Sequence, residues 1–565
     1  MILHSRRPRT VTRICAYAVL ASATALLQAQ TWQSTRVFYD SSSKLQYTSD
    51  SEGNRIPDFS NAGYRGGDAE LPVITRVVAT IPAGASLGTI NSAIAGADVS
   101  ASNPGVVQLS AGTYTINGTI LINKPGLVLR GAGDGRSGGS ATIIRQTSTA
   151  NTTLTIDVRG GSDDSFESEV AGSRSDITTQ RVTVGSRSFN VANGSLYRVG
   201  DNIIISHPKD ARWINAVDPQ NHWDAYVGNL SDIRYHRYIT AISGNTLTVD
   251  APVFNTLDRA LAQSVVYKYN RTNTLKEVGV ENLRVEAGTG NTDSIRFAGV
   301  ENCWIKGVTV QNFYRAGVLF THASTRSTAF DCRAIDPSGA AAGGSWYNFC
   351  VEEAQLILFQ NCYTRTSRHA FVGNGKALDS GIVVLDCTMD NPVTSAEFHR
   401  YWGQAILFDR CKTINRGTSD IIRLYNRGTS GSNHGWSAAH SVIWASDAGG
   451  GDFTVMKPMT AQNYAIGSLN ARVDGNGING GTGSIGYVEG TGQAGLHPSS
   501  LYLAQLADRR TPAAPNFTFA TTTGSRTIAQ GASTTYSVNV SQLTNLTGPV
   551  AFSVTGLPSG ATSSF

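Results

Sequence analysis

The chain has 565 residues, 40% hydrophobic and 15% charged, which is enough apolar material to bury a core and excludes a disordered chain. Its length suits two or three domains, or one elongated repeat with an accessory, and its 59 glycines follow no three-residue period, which excludes collagen. The formal charge of +5 falls to +1 without the four arginines of the first 29 residues, so neither nucleic acid nor an anionic membrane is expected as a partner.

Those 29 residues hold a basic stretch through Arg13, an apolar run from Ile14 to Leu27 and small residues near Ala29. That layout reads as a secretory signal cleaved after Ala29, and the run is too short to span a bilayer comfortably. The expected location is extracellular or periplasmic. Residues 30–75 read as a lead-in segment. Thr89–Val99 then has helical apolar spacing, suited to capping the open end of a stack, and Gly105–Leu109, Ala111–Ile116 and Leu127–Gly131 read as strands broken by glycine turns. Gly131-Ala132-Gly133-Asp134-Gly135 lacks the following helix of a nucleotide site and reads as a turn. From about 183 to 256 longer strands enclose a loop with Trp213, His222, Trp223, Tyr226, Tyr235 and His236. This insertion either walls a binding face or protects an edge.

Five cysteines, Cys303, Cys332, Cys362, Cys387 and Cys411, recur every 24–30 residues, each with Asn or Asp one or two positions ahead. A unit of that length, built from short strands and polar turns, fits one coil of a parallel β-helix, whose equivalent positions stack into ladders. Free cysteine behaves as a small hydrophobe, so these thiols and Cys350 read as packing; no close-spaced pair suits zinc. After Arg510 the composition shifts to a Pro/Ala linker and Ser/Thr/Val strands, read as the first part of an immunoglobulin-like sandwich.

The helix at Thr89–Val99, the Gly-Val-Val and Ala-Gly-Thr-Tyr runs at 105–114, the Leu-Arg-Gly-Ala-Gly turn at 129–133 and the Asn/Asp-Cys coils resemble the pectate-lyase-like superfamily. Arg55–Tyr64 is similar to the opening segment of secreted bacterial members, and His497–Leu506 to their closing segment. The resemblance implies an all-β fold: a right-handed single-stranded parallel β-helix over 76–510, with an N-terminal cap helix, an inserted β subdomain and an incomplete Ig-like domain at 511–565. It also implies an extended groove for a polysaccharide. Lyase, hydrolase, esterase and non-catalytic adhesin all stay open, because fold does not fix function. A monomer is expected.

Polar clusters stand just ahead of successive apolar strands: Tyr314-Arg315, Trp346-Tyr347-Asn348, Arg368-His369 and Glu397-Phe398-His399-Arg400-Tyr401-Trp402. Arg315, His399 and Arg423 each lie 12 residues after a cysteine, so equivalent offsets are expected to stack on one face. Arginine pairs with carboxylates and aromatic faces stack on sugar rings. Cleaving a polyuronate by β-elimination needs a cation to neutralise the carboxylate, a base for the C5 proton and an acid for the departing oxygen. Arg368 or Arg400 suits the first role, His399 or His369 the second, and Tyr401, Tyr347 or the other histidine the third. Arg315, Trp346, Tyr347, Asn348, Trp402 and Arg423 are the expected sugar contacts. Hydrolysis ranks second, with Glu397 paired to Glu352, Glu353 or Asp379, while Asp331, Asp386 and Asp409 read as turn residues. No cofactor is required by the pattern. Calcium stays open, but the acidic run Asp163, Asp164, Glu167 and Glu169 reads as a solvated loop.

Overall fold

Each coil contributes one short strand to a thirteen-stranded sheet and two to a nineteen-stranded sheet, and successive coils pair in parallel. The register is visible in one inward row, Ile305–Ala329–Phe359–Val384–Phe408–Ile443–Ala465, where each residue pairs with the next. All seven are buried in one continuous core. Strands this short close no sheet of their own; stacking supplies both their hydrogen bonds and their apolar contacts. The computed structural model is therefore an all-β parallel β-helix. It describes residues 31–565 apart from 137, 151–152, 161–167, 224–229, 289, 291–292, 512–515, 522–524, 545–551, 556 and 565. The leader read at 1–29, with Asp163, Asp164, Glu167 and Tyr226, lies outside the described residues.

Cys332, Cys362, Cys387 and Cys411 occupy the turn after consecutive strands of the first sheet, whereas Cys303, expected in the same ladder, stands just before strand Trp304–Lys306 and lies level with Ser327 of the next coil. Asn302, Asp331, Asn361, Asp386 and Arg410, each just before a cysteine, take φ of 52–56°, a conformation that Asn and Asp tolerate better than most residues. The thiols then point inward, and each lies within reach of a carbonyl of the preceding coil: Cys332 of Ile305 at 3.5 Å, Cys362 of Ala329 at 3.5 Å, Cys387 of Phe359 at 3.5 Å and Cys411 of Val384 at 3.2 Å. All six described cysteines are free and buried, and burial pushes their thiols up, so they are unreactive packing groups. Asp409 differs from its expected turn role. It ends strand Gly403–Asp409 inside the protein and accepts from Ser500 Oγ at 2.7 Å and Tyr502 N at 2.8 Å.

The cap helix is Leu87–Gly96, with Ser86 at its N-cap and Ile90 and Ile94 turned into the end of the core. The lead-in segment runs back along the thirteen-stranded sheet: Thr35 binds Glu489, Gly63 binds the Leu356 carbonyl, and Tyr64 packs edge-on against Trp304. The closing helix Leu501–Arg510 lies against it, with Gln505 bonded to Pro57 and Phe59 and Tyr502 Oη to the Ala62 carbonyl. The insertion is a six-stranded antiparallel sheet reaching from Ser175 to Lys268, longer than the sequence rhythm indicates. Its Trp213, Trp223 and Tyr235 are buried against the coils rather than displayed to solvent. In the tail, Asn516–Thr521 pairs antiparallel with Val538–Thr544; among the described residues no sandwich is assembled around them. No helix among the described residues is long and apolar enough to cross a membrane.

Candidate active site

Four consecutive strands of the second sheet, Tyr347–Glu352, His369–Gly373, Ala396–Phe398 and Asp420–Leu424, carry the candidate residues. Side chains alternate across a strand. Ala396 and Phe398 thus fill the core while Glu397 faces outward, and Ile422 and Leu424 fill it while Arg423 faces outward. The pairing sets Tyr347 beside His369, and Cys350, Val372, Glu397 and Arg423 in one row. The twelve-residue offset is not kept, because between the paired positions Asp390 with Ile414 and Ala396 with Ile422 one coil has residues 391–395 and the next has 415–421, two more.

Glu397 is the centre. Its Oε2 accepts from Ser395 Oγ at 2.9 Å and Tyr425 Oη at 2.8 Å, and its Oε1 lies 2.8 Å from His399 Nδ1 and 3.0 Å from Arg427 Nη1. Arg427 also donates to the His399 carbonyl at 2.9 Å and touches Nδ1 of the same ring. Burial alone would raise the Glu397 carboxyl, but Arg427 and the two histidines hold it well below the ordinary carboxylate range, so it is an anion. An ionised carboxylate only accepts, so Nδ1 carries the proton, the Arg427 contact to that nitrogen is not a hydrogen bond, and His399 keeps Nε2 as its lone-pair nitrogen. His399 is 7% exposed and burial holds it well below the ordinary imidazole value. His369 is pushed down to about 4, again mainly by burial. Its Nδ1 faces the Ser395 carbonyl at 2.6 Å, and since a carbonyl only accepts, the proton sits on Nδ1. The other nitrogen, Nε2, has no hydrogen-bond partner among the described residues and lies 3.7 Å from Glu397 Oε1.

Arg368 and Arg400 stand beside these histidines. Arg368 Nη1 reaches Tyr347 Oη at 3.3 Å and Arg400 Nε reaches Asn374 Oδ1 at 2.8 Å; both are half-buried, and neither is ion-paired among the described residues. Tyr347 is buried, its ring 5.6 Å from His369 and 6.3 Å from His399. Burial raises its phenol while Arg368 lowers it. Asn374 in turn holds Glu352 at 2.7 Å, and Glu352 holds Arg315 at 2.8 Å.

The structure does not bring every expected contact to this face. Arg315 spends its guanidinium on Asp293 and Glu352, both at 2.8 Å, so its charge is neutralised inside the protein. Asn348 is fully buried and donates inward to the Ala334 carbonyl at 2.8 Å. Trp402 is 0% exposed, bonded to Asn255 and set edge-on between Trp213 at 5.8 Å and Trp223 at 6.0 Å. It ties the insertion to the coil and offers no surface to a sugar. Tyr401 is also buried and its hydroxyl reaches the Ser432 carbonyl at 3.2 Å. Trp346 is half-buried with its indole on the Ser338 carbonyl at 2.9 Å, and Arg423 pairs with Asp420 at 2.5 Å. Among the carboxylates considered for hydrolysis, Asp379 is buried on the amides of Ala354 and Gly375 and pushed well above the ordinary range by burial, whereas Glu352 is held down by Arg315. Glu169 pairs with Arg174.

Three groups were not read from the sequence: Tyr425, Arg427 and His434. All come from the turn after Asp420–Leu424, and the His434 ring stands 4.7 Å from His399. Trp223 of the insertion bonds the His434 carbonyl at 2.9 Å, so the insertion supports the site from behind. The available signal was the polar cluster Tyr425-Asn426-Arg427 itself, but it follows an apolar strand, whereas Glu397-Phe398-His399-Arg400 was marked by standing ahead of one. A recess of about 360 Å³ on the other sheet, lined by Tyr64, Lys306 and Tyr502, includes none of these residues.

No family model matches the chain, and no curated protein does. Among solved structures it is similar to the tailspike protein gp49 from Pseudomonas phage LKA1, at 16% identity over 77% of this chain and 79% of that one, with a TM-score of 0.43. It is also similar to a polygalacturonase from Erwinia carotovora, at 10% identity, covering 74% and 98%, and to an alginate lyase from Paenibacillus sp. FPU-7, at 10% identity, covering 73% and 99%; both have a TM-score of 0.36.

Proposed function

We propose that the chain is a secreted polysaccharide lyase that cleaves a uronic-acid polymer by β-elimination at the His369–Glu397–His399 cluster. The observation that carries this reading is the pair Arg368 and Arg400: two cations with no carboxylate partner among the described residues, each next in sequence to one of two histidines whose rings lie 5.0 Å apart. A bound uronate carboxylate would take their charge, which makes the C5 proton more acidic. His399 Nε2, backed through Nδ1 by Glu397, takes that proton. Tyr347, beside Arg368, gives its proton to the departing oxygen. Hydrolysis by paired carboxylates is less well supported, since Glu397 and Glu352 are each held ionised by an arginine.

Incubation with pectate, alginate, glucuronan and glycosaminoglycans tests the proposal by ultraviolet absorbance of the unsaturated uronate product. Reducing ends without that absorbance would point to hydrolysis, and retention without cleavage to a binding protein.

A further inference from the structure

We infer that His369, Glu397 and His399 form a binding site for a divalent transition-metal ion of the zinc class, for which the guanidinium of Arg427 is the resident competitor. Two observations converge. One nitrogen of each histidine and one oxygen of Glu397 lie within 4.8 Å of one another, wider than the roughly 3.3–3.6 Å between ligand atoms on a tetrahedral metal with bonds of about 2.0–2.2 Å, so the side chains would close in by about an ångström around an ion. His369 Nε2 is a buried lone pair with no hydrogen-bond partner among the described residues, aimed at Glu397 Oε1 from 3.7 Å. Two acceptors facing each other across that distance repel unless positive charge stands between them.

The surroundings already hold the ligands in place. Ser395 fixes the His369 ring through its carbonyl and Glu397 Oε2 through its hydroxyl, and Tyr425 bonds the same oxygen. Such outer contacts set ring tautomer and ligand orientation in metal sites. Two imidazoles and one carboxylate select a transition metal over calcium, which prefers six to eight oxygens. Three protein ligands leave a further position for water or a sugar carboxylate.

Arg427 Nη1 lies 3.0 Å from Glu397 Oε1 and contacts His399 Nδ1, so in the metal-free protein it supplies the positive charge. Metal binding at Nδ1 releases the Nδ1 proton to solvent and moves Arg427 off Oε1. The inference shares its residues with the proposed lyase but does not need elimination chemistry.

The test uses the full chain, stripped with chelator and titrated with Co2+ for visible ligand-field absorption and with Zn2+ by calorimetry near neutral pH. One equivalent is expected to bind the wild type, at least about tenfold more tightly in Arg427→Met and at least about tenfold more weakly in His369→Gln and His399→Gln of unchanged circular dichroism. Absence of a cobalt spectrum from both the wild type and Arg427→Met overturns the site, as does full affinity in His369→Gln and His399→Gln. The elimination assay on stripped and loaded samples separates the two readings: a cobalt spectrum without unsaturated product supports the metal and removes the lyase, whereas product without metal binding does the reverse.

Discussion

Arg427 Nη1 lies 3.0 Å from Glu397 Oε1 where the two side chains are 7% and 2% exposed, and this buried pair sets the charge of the cluster. Breaking one half of such a pair leaves the other charge uncompensated, at about 3–5 kcal/mol. Arg427→Met and Glu397→Gln are each expected to lose stability of that order. The double variant should recover part of it, and a double-mutant cycle in denaturant melts checks the coupling.

Arg368 and Arg400 are half-buried and pair with no carboxylate among the described residues, so their removal tests chemistry apart from folding. Arg368→Ala and Arg400→Ala should each lower kcat on a uronate polymer by about a hundredfold or more, with melting temperature nearly unchanged. Methyl-esterified substrate should show little difference between wild type and variants. Equal turnover of the free-acid polymer by all three proteins would remove these arginines from the reaction.

Trp402 behaves oppositely. It is 0% exposed among Trp213, Trp223 and Asn255, so Trp402→Ala should cost about 3–5 kcal/mol of stability through the cavity it leaves. KM of the remaining folded protein should stay close to wild type. A large rise in KM with unchanged stability would reassign Trp402 to the substrate.

Burial pushes His207, His369 and His434 down to about 4 and His440 to about 3, from an ordinary 6.5. Between those values the unfolded chain binds more protons than the folded one, so stability should fall as pH drops from 6.5 towards 4. Denaturant melts across that range measure the slope, and His440→Leu should flatten part of it, because both ring nitrogens of His440 are buried without hydrogen-bond partners among the described residues. The same burial keeps His399 unprotonated in mildly acidic solution, so the acid limb of kcat/KM should lie below the usual imidazole range.

The coils were legible because their signal is local and repeated. An Asn or Asp in a left-handed turn followed by an inward cysteine recurs at 302–303, 331–332, 361–362 and 386–387. The cap helix was legible from apolar spacing, although it begins at Leu87 with Ser86 as its cap. The candidate cluster was legible where polar side chains fall on neighbouring coils, at Arg368, His369, Glu397, His399 and Arg400. It was illegible where a side chain's partner is distant in sequence. Nothing near Trp402 announces Asn255, and nothing near Arg315 announces Asp293. Arg427 was missed because it lies past the strand end, in a turn whose length differs from the turn of the coil before.

The lead-in strand and the closing helix grip each other along the outside of the stack, through Gln505 with Pro57 and Phe59, Tyr502 with Ala62 and Arg509 with Ser60. An open repeat array can fray one unit at a time from either end. Here the outermost coils are lashed to the middle of the barrel by chain that must be peeled away first. Loss of order should therefore come as one concerted event, and a protease should find few partly opened intermediates to cut.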